Sequence, residues 1–179
     1  MNVAICEYGA GNVRSVELAF RRLGVDVVPD VAAADVAVLP GVGSAAAAMD
    51  GLRARGHDAA LRERFRSGGP ILGICLGLQL ALDWTEEGGG VPGLGLLPGR
   101  AVRLRAGRVP RMGWAEVEGG ETYYFAHSYA AQTACATAWS EGVVAEARHG
   151  AFVGCQFHPE KSGPAGAAYL EEALCRFRG

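Results

Sequence analysis

The amino-acid sequence predicts an α/β fold: an open, mostly parallel central sheet with helices on both faces and a β-rich antiparallel insertion in the second half. In the first half, short apolar runs alternate with stretches of helical periodicity, as is typical of parallel sheets covered by helices. In the second half, short runs separated by turn residues favour antiparallel strands. No linker or repeat divides the chain, so we expect a single domain over residues 1–179.

The first elements follow from local patterns. An apolar strand over residues 3–8 ends in a glycine turn, and apolar residues at helical spacing then predict a helix over residues 13–23. Gly24 is a typical residue to end that helix. Two further short strands are expected over residues 25–28 and 36–39.

The next stretch predicts the elements at the centre of the sheet. Helical sequence over residues 44–66, N-capped by its first serine, is interrupted near Gly51 or Gly56. Residues 70–74 predict a buried strand, and the helix after it is expected to reach Trp84. In the second half, short strands are predicted over residues 102–105, 123–129, 134–139, 143–147 and 151–157. A final helix is predicted over residues 167–177.

The overall composition excludes several classes of protein. Hydrophobic residues make up 50% and charged residues 20%, as in ordinary globular domains. Nineteen acidic against 17 basic residues give a net charge of −2, which does not favour binding to nucleic acid. The five cysteines lie far apart and form no C-x-x-C motif, so we expect neither a disulfide framework nor a zinc site.

Residues 73–77 carry the strongest chemical signal. They read Gly-Ile-Cys-Leu-Gly, a nucleophile between two spaced glycines, at the junction of an apolar strand and a predicted helix. Such a turn projects the nucleophile into a cleft, and the helix N-terminus favours a thiolate and an oxyanion. We therefore predict Cys75 as a nucleophile. We interpret the other cysteines as structural: Cys6, Cys135, Cys155 and Cys175.

A thiol nucleophile needs a base, and His158 is the best placed of the histidines. It follows an apolar strand, so it lies at the same sheet edge as Cys75 if the two strands run parallel. Glu160, two residues further on, can bond to the imidazole and fix its tautomer. His57 lies in polar helical sequence and His149 in a turn, so neither is predicted to take part.

The Pro-Gly-Val-Gly sequence over residues 40–43 ends another apolar strand. The backbone N–H groups of Gly41, Val42 and Gly43, together with that of Leu76, can receive an oxyanion. Taken alone, this motif is better explained as an ordinary strand-to-helix turn.

Two other motifs give weaker hypotheses. Residues 8–12 and Asp30 suggest a dinucleotide fingerprint, but Arg14 stands where the third glycine is required. The arginine-rich segment from Arg100 to Arg111 is interpreted as a solvated face or as a docking surface for an acidic partner. It lacks the interleaved aromatic residues of a nucleic-acid site.

Together these residues resemble the triad-type (class I) glutamine amidotransferases, and within them the family of glutaminase subunits of imidazole glycerol phosphate synthase. The segments that carry the resemblance are residues 8–16, 40–43, 73–79, 112–114, 124–129 and 157–162. Arg111 and Ala115 depart from the family pattern, which has histidine and asparagine at these positions.

The resemblance implies that Cys75, His158 and Glu160 form a catalytic triad that hydrolyses glutamine to glutamate and ammonia. It also implies an oxyanion site at residues 41–43 and Leu76. The substrate-holding positions that it implies are Gln79, His127, Ser128 and Tyr129. No cofactor and no metal is expected.

The resemblance further implies a heterodimer with a (β/α)-barrel cyclase that receives the ammonia in histidine biosynthesis. Nucleic acid is not expected as a partner because the net charge is −2. A membrane is not expected either, since no apolar run reaches the ~20 residues of a membrane span. Residues 1–12 lack the basic leader and apolar core of a signal peptide. With the dispersed cysteines, this predicts a cytoplasmic protein.

Three alternatives remain open from the sequence. The nearest is the glutaminase subunit of pyridoxal phosphate synthase, a family that reads Pro-Gly-Gly-Glu-Ser where this chain reads Pro-Gly-Val-Gly-Ser. A non-catalytic nucleotide-binding or regulatory subunit with the same fold belongs to a different class. A cysteine hydrolase or chaperone-like relative is the third, and Gln79 and residues 127–129 argue against it.

Overall fold

A computed structural model describes residues 1–9 and 13–178. The strands are β1 (Asn2–Ile5), β2 (Asp26–Val27), β3 (Val36–Leu39), β4 (Ile71–Ile74), β5 (Leu82–Thr85), β6 (Val91–Pro92), β7 (Leu97–Arg103), β8 (Arg111–Glu116), β9 (Thr122–His127), β10 (Tyr129–Gln132), β11 (Ala136–Ser140), β12 (Val143–His149) and β13 (Phe152–Cys155). The helices are α1 (Val13–Arg22), α2 (Ala45–Ala54), α3 (His57–Arg66), α4 (Leu76–Ala81) and α5 (Gly163–Arg176), with 3₁₀ turns at Glu87–Gly89 and Pro159–Lys161. Among the residues described, no helix has the length and apolarity to span a bilayer.

A seven-stranded sheet in the order β11-β12-β13-β4-β3-β1-β2 forms the centre of the molecule. Five neighbouring strands, from β13 to β2, run parallel, and β12 and β11 extend the sheet antiparallel. The parallel strands are short apolar runs because both of their faces are covered. Their carboxyl ends therefore share one edge of the sheet.

Strand alternation divides the core between the two faces of this sheet. On one face, Val36 and Val38 of β3 share a core with Phe20 of α1 and Leu170 of α5. On the other face, Leu39 belongs to the core formed with α2, α3 and α4. The predicted fold class, with helices on both faces of a mostly parallel sheet, is confirmed.

The second half of the chain supplies the predicted antiparallel elements. The order β10-β7-β5-β6 forms a four-stranded sheet, in which only β5 and β7 pair in parallel. The β8 and β9 strands form a separate antiparallel ladder, and Tyr123 and Phe125 of β9 pack into the core shared with α5. The His158 N–H donates to Tyr124 O at 2.8 Å, so this ladder lies beside the segment that follows the carboxyl end of β13.

Two element predictions are wrong. The helix after Cys75 ends at Ala81, and Trp84 lies in β5 rather than on the helix, because Leu82 adopts an extended backbone and its strand pairs with β7. The strand predicted over residues 123–129 divides at Ser128 into β9 and β10, which belong to different sheets.

The predicted interruption between α2 and α3 falls at Gly56, whose φ of +72° suits glycine. Gly51 instead stays inside α2. A Cβ atom on Gly51 would strike the carbonyl oxygen of Tyr8, so glycine here allows the helix to pack against that backbone.

Candidate active site

Cys75 occupies a strained turn between β4 and α4. Its φ of +51° and ψ of −103° are rare for a residue with a side chain, as expected of a nucleophile elbow. The Cys75 N–H donates to Cys155 O on β13 at 2.7 Å. A Cβ on Gly77 would strike the Leu39 carbonyl, and one on Gly73 would lie 2.7 Å from the Phe152 ring. The two glycines therefore let the turn approach the neighbouring strands.

His158 reaches the same edge of the sheet because β13 and β4 are adjacent and parallel, with Cys155 paired to Ile74. Its Nδ1 donates to Glu160 Oε1 at 2.8 Å, and both side chains are almost fully buried. The other ring nitrogen, Nε2, makes no hydrogen bond of standard geometry to a described residue, but it is close enough to Cys75 to interact with it.

The surroundings of His158 favour its charged form. Burial alone would lower its pKa, but interactions with Cys75 and Glu160 outweigh burial and raise the pKa of His158 to about 9. Cys75 and His158 line one cavity of about 270 Å³. The arrangement of sulfur, imidazole and carboxylate is that of a nucleophile, a base and a group that orients the base.

A chain of two amides leads to the Cys75 sulfur. Gln156 Nε2 lies 3.6 Å from Cys75 Sγ and donates to it, and Gln156 Oε1 accepts from Gln79 Nε2 at 3.2 Å. Gln79 Nε2 also donates to Tyr129 O at 2.7 Å. Both glutamines are buried, so these amides connect Cys75 to the segment at residues 127–129.

The loop at residues 40–43 lies directly on the start of α4. A Cβ on Gly41 would lie 2.5 Å from the backbone nitrogens of Leu76 and Gly77, so only glycine permits this approach. The Tyr8 hydroxyl donates to Pro40 O at 2.7 Å and anchors the loop from the other side. The predicted oxyanion positions all line the same cavity: Gly41, Val42, Gly43 and Leu76.

The predicted substrate-holding residues of β9 and β10 line the same cavity: His127, Ser128 and Tyr129. His127 Nδ1 bonds to Tyr129 O at 2.9 Å and donates the proton, since a carbonyl only accepts. Burial lowers the pKa of His127 to about 4 despite this bond, and the charges of Arg111 and His158 act in the same direction as burial. His127 is therefore neutral at pH 7.

The remaining candidate residues lie elsewhere. His57 lines a different cavity with Glu7 and Glu17, and His149 stacks on Phe65. Most of the signature at residues 8–12 lies outside the described residues. Asp30 uses its carboxylate to cap the turn that follows it, which leaves the structure without support for the dinucleotide hypothesis.

Comparisons with known proteins agree with this geometry. The family model described as "Glutamine amidotransferase class-I" matches residues 5–177. The chain is 42% identical to "Imidazole glycerol phosphate synthase subunit HisH" of Moorella thermoacetica, over 94% of this chain and 92% of that protein. It is 41% identical to the protein of the same name from Mycolicibacterium paratuberculosis, over 98% of each.

The chain belongs to the HisH family of class-I glutamine amidotransferases. A solved structure described as a glutamine amidotransferase shares the fold, with a TM-score of 0.85 over the whole of both chains at 19% identity. As a HisH-family member the chain is a glutamine-hydrolysing enzyme, which confirms the family and the activity predicted from the sequence.

Sequence reasoning missed several residues of this HisH-family site. Gln156 directly precedes the Phe-His-Pro-Glu segment, but nothing in the spacing indicated that its amide would reach Cys75. Glu87 and Lys161 line the cavity, and Glu87 also accepts from Ala45 N at 2.6 Å, at the N-terminus of α2. Glu87 lies in a glycine-rich stretch whose path cannot be deduced from periodicity.

Proposed function

We propose that this chain is the glutaminase subunit of an imidazole glycerol phosphate synthase in histidine biosynthesis. The observation that carries the proposal is the hydrogen-bonded pair of His158 and Glu160 beside Cys75 at one edge of the sheet. A charged imidazole next to a cysteine sulfur supports a reactive thiolate, and the start of α4 adds positive potential.

In the first half of the reaction, the Cys75 thiolate attacks the carboxamide carbon of glutamine. The oxyanion is received by the N–H of Leu76 and by N–H groups of residues 41–43, and the loss of one such donor would raise the barrier by about 3 kcal/mol. His158 gives its proton to the leaving ammonia, and a thioester forms. His158, held by Glu160, then takes a proton from water, which attacks the thioester and releases glutamate.

The other residues of the cavity suit the remainder of glutamine. Among the described residues that line the cavity, Glu87 is the one carboxylate, and it is suited to the α-ammonium group. The backbone of residues 127–129 offers polar groups to the α-carboxylate side. Gln79 holds that backbone through Tyr129 O while it lines the cavity.

The partner that fits this activity is a (β/α)-barrel cyclase subunit in the cytoplasm. Ammonia reacts only when unprotonated, so it must reach the second site without mixing with bulk water. Met112, which lines the cavity, and Trp114 on the same strand β8 are large apolar residues, yet they are 62% and 60% exposed. Such an exposed apolar pair beside a catalytic cavity supports docking of another subunit there.

The proposal is tested by a glutaminase assay with and without a barrel cyclase and its nucleotide ligand. We expect glutamate release in the complex and its loss in Cys75→Ala, whereas Cys175→Ala, which changes an exposed cysteine, retains activity. Recovery of a pyridoxal phosphate synthase in a pull-down, in place of the cyclase, would contradict the assignment. Glutamate release that survives Cys75→Ala would contradict the mechanism.

A further inference from the structure

Arg111 and His127 face each other directly across the β8–β9 ladder. On the inward face of β9, Phe125 lies two residues before His127, and its cross-strand partner is Gly113. Since Gly113 has no side chain, the Arg111 guanidinium can extend over the Phe125 ring, 4.2 Å from the ring centre. The glycine of the Met-Gly-Trp segment thus leaves the space that this guanidinium occupies.

One end of the guanidinium is firmly held. Arg111 Nη2 donates to Ser140 Oγ at 2.7 Å and to Glu141 at 3.0 Å, and the side chain is only 14% exposed. The other nitrogen, Nη1, is buried and has no acceptor among the described residues. A buried N–H of a charged group without an acceptor is costly, so this nitrogen requires a partner.

His127 has an unpaired acceptor that matches this unpaired donor. Its Nδ1 carries the proton that is donated to Tyr129 O, so its Nε2 carries a lone pair. That Nε2 is also buried and has no donor among the described residues. An N–H without an acceptor and a lone pair without a donor therefore occur on directly opposed residues of one ladder face.

We propose that Arg111 is a positioning residue that acts through His127. Nη1 donates to the lone pair on His127 Nε2 through one buried water, and thereby fixes the imidazole as the neutral tautomer with its proton on Nδ1. That proton holds Tyr129 O, which Gln79 also holds. The inference rests on the proposed function, in which residues 127–129 support glutamine.

The charges around His127 favour this arrangement. Arg111 faces it from β8, and His158 and Lys161 share its cavity from the segment after β13. Glu87 and Cys75 line the same cavity. With Nδ1 also protonated, a proton on His127 Nε2 would add one buried cation beside two others, the Arg111 guanidinium and the charged His158 ring. Arg111 therefore restricts His127 Nε2 to accepting, which leaves His158 as the charged imidazole of the site.

Arginine fits this role better than lysine. Its planar fork can donate to Ser140 and Glu141 from one terminal nitrogen while the second terminal nitrogen stays available to the facing His127. A lysine ammonium retains the charge but cannot hold both ends. Arg111→Lys should thus restore only part of what Arg111→Met loses.

The test compares Arg111→Met and Arg111→Lys in the complex with the cyclase, with Arg66→Met as the control at an exposed arginine of α3, outside the Arg100–Arg111 segment. We expect Arg111→Met to raise the KM for glutamine about tenfold, as for a lost charge-assisted hydrogen bond, and to change kcat by less than about threefold. Arg111→Lys should give a KM between those of Arg111→Met and the wild type, and Arg66→Met should match the wild type. In a His127→Gln background, Arg111→Met should have no further effect on KM.

A second measurement does not depend on activity. The ¹⁵N spectrum of His127 in the wild-type protein should show a proton on Nδ1 and a bare, hydrogen-bonded Nε2, and Arg111→Met should convert it to a mixture of tautomers. A wild-type proton on Nε2 would overturn the inference even if the variants do not fold. An unchanged KM and tautomer in a folded Arg111→Met protein would overturn it as well. If the wild-type complex releases no glutamate, the proposed function fails, and the spectrum still decides the tautomer.

Discussion

Two histidines line the same cavity, and their surroundings drive them to opposite charge states. His158 is buried against Glu160 and the Cys75 sulfur, and its pKa is raised to about 9. His127 is buried against a backbone carbonyl with Arg111 and His158 as its charged neighbours, and its pKa is lowered to about 4. Burial acts on both in the same direction, so the partner of each ring decides the outcome. One imidazole is suited to transfer protons and the other to hold a fixed position.

The largest effects are expected when each imidazole ring is removed in turn, which tests whether the two rings have different roles. His158→Asn should lower kcat by about 10⁴-fold, because both proton transfers lose their carrier. His127→Asn should act mainly on glutamine binding and raise KM about tenfold, with kcat much less affected. Steady-state glutaminase kinetics in the cyclase complex measure both.

The two variants serve as controls for each other, since both delete a buried imidazole from one cavity. A kcat loss of equal size in His127→Asn would show that His127 transfers protons too. It would thereby contradict the assignment of different roles to the two rings.

The next largest effect concerns Glu160, the carboxylate that distinguishes the surroundings of His158 from those of His127. Glu160→Gln keeps the size of the side chain but removes the charge that orients His158, so kcat should fall about 10³-fold. The pKa of His158 should fall at the same time, and ¹⁵N or ¹H titration of the ring measures this shift. Glu172→Gln, on the exposed side of α5, is the matched control. Unchanged kcat in Glu160→Gln would mean that the imidazole is oriented by another group.

The comparison also explains which parts of the site the sequence could predict. Glu160 lies two residues from His158, and the pairing of β13 with β4 follows from ordinary α/β topology, so this side of the cavity was accessible to sequence reasoning. The state of His127 depends on the register of β8 with β9, which brings Arg111 opposite to it. No local pattern encodes such a cross-strand register.

The elements of the fold also differ in whether a local sequence pattern could predict them. The parallel strands and α1 were predictable because one hydrophobic period indicates each of them. The error at Trp84 arose because Leu80 and Trp84 are four residues apart, a helical spacing in a segment that in fact changes to a strand at Leu82. The division at Ser128 was invisible because both sides of it are β-like in sequence and only tertiary pairing separates β9 from β10.

The dependence of stability on pH gives a further test of the two opposite charge states, with an expected effect of intermediate size. For His158 the folded pKa of about 9 exceeds the ordinary 6.5, so its contribution is complete below pH 6.5 and is lost as pH rises to about 9. For His127 the folded pKa of about 4 is below 6.5, so stability is lost as pH falls from 6.5 to about 4. Each effect is expected to reach up to about 3 kcal/mol.

Urea unfolding at a series of pH values measures both limbs. His158→Asn should flatten the alkaline limb and leave the acidic one, and His127→Asn should do the reverse. If either substitution flattens both limbs, the two rings titrate as one coupled pair, and their separate treatment is wrong.

The smallest expected effect comes from Ser162, which joins the segment of His158 to strand β9, the strand that carries His127. Its hydroxyl donates to His158 O at 2.7 Å and accepts from Tyr124 N on β9 at 3.0 Å, and the residue is buried. Ser162→Ala leaves the Tyr124 N–H without that acceptor, whereas His158 O keeps its bond from Lys161 N. We expect a loss of about 1–2 kcal/mol in the free energy of unfolding, and a fall of a few-fold in kcat because the turn at His158 loses one of its links to β9.

Ser67→Ala is the matched control, because its hydroxyl caps the exposed end of α3 far from the cavity. The His158 N–H still donates to Tyr124 O at 2.8 Å in Ser162→Ala, so the two regions stay connected and the pKa of each histidine should be preserved. Titration of both rings in this variant checks that expectation. A large change in either pKa would mean that the opposite charge states depend on the spacing between the two regions, and not only on the partner of each ring.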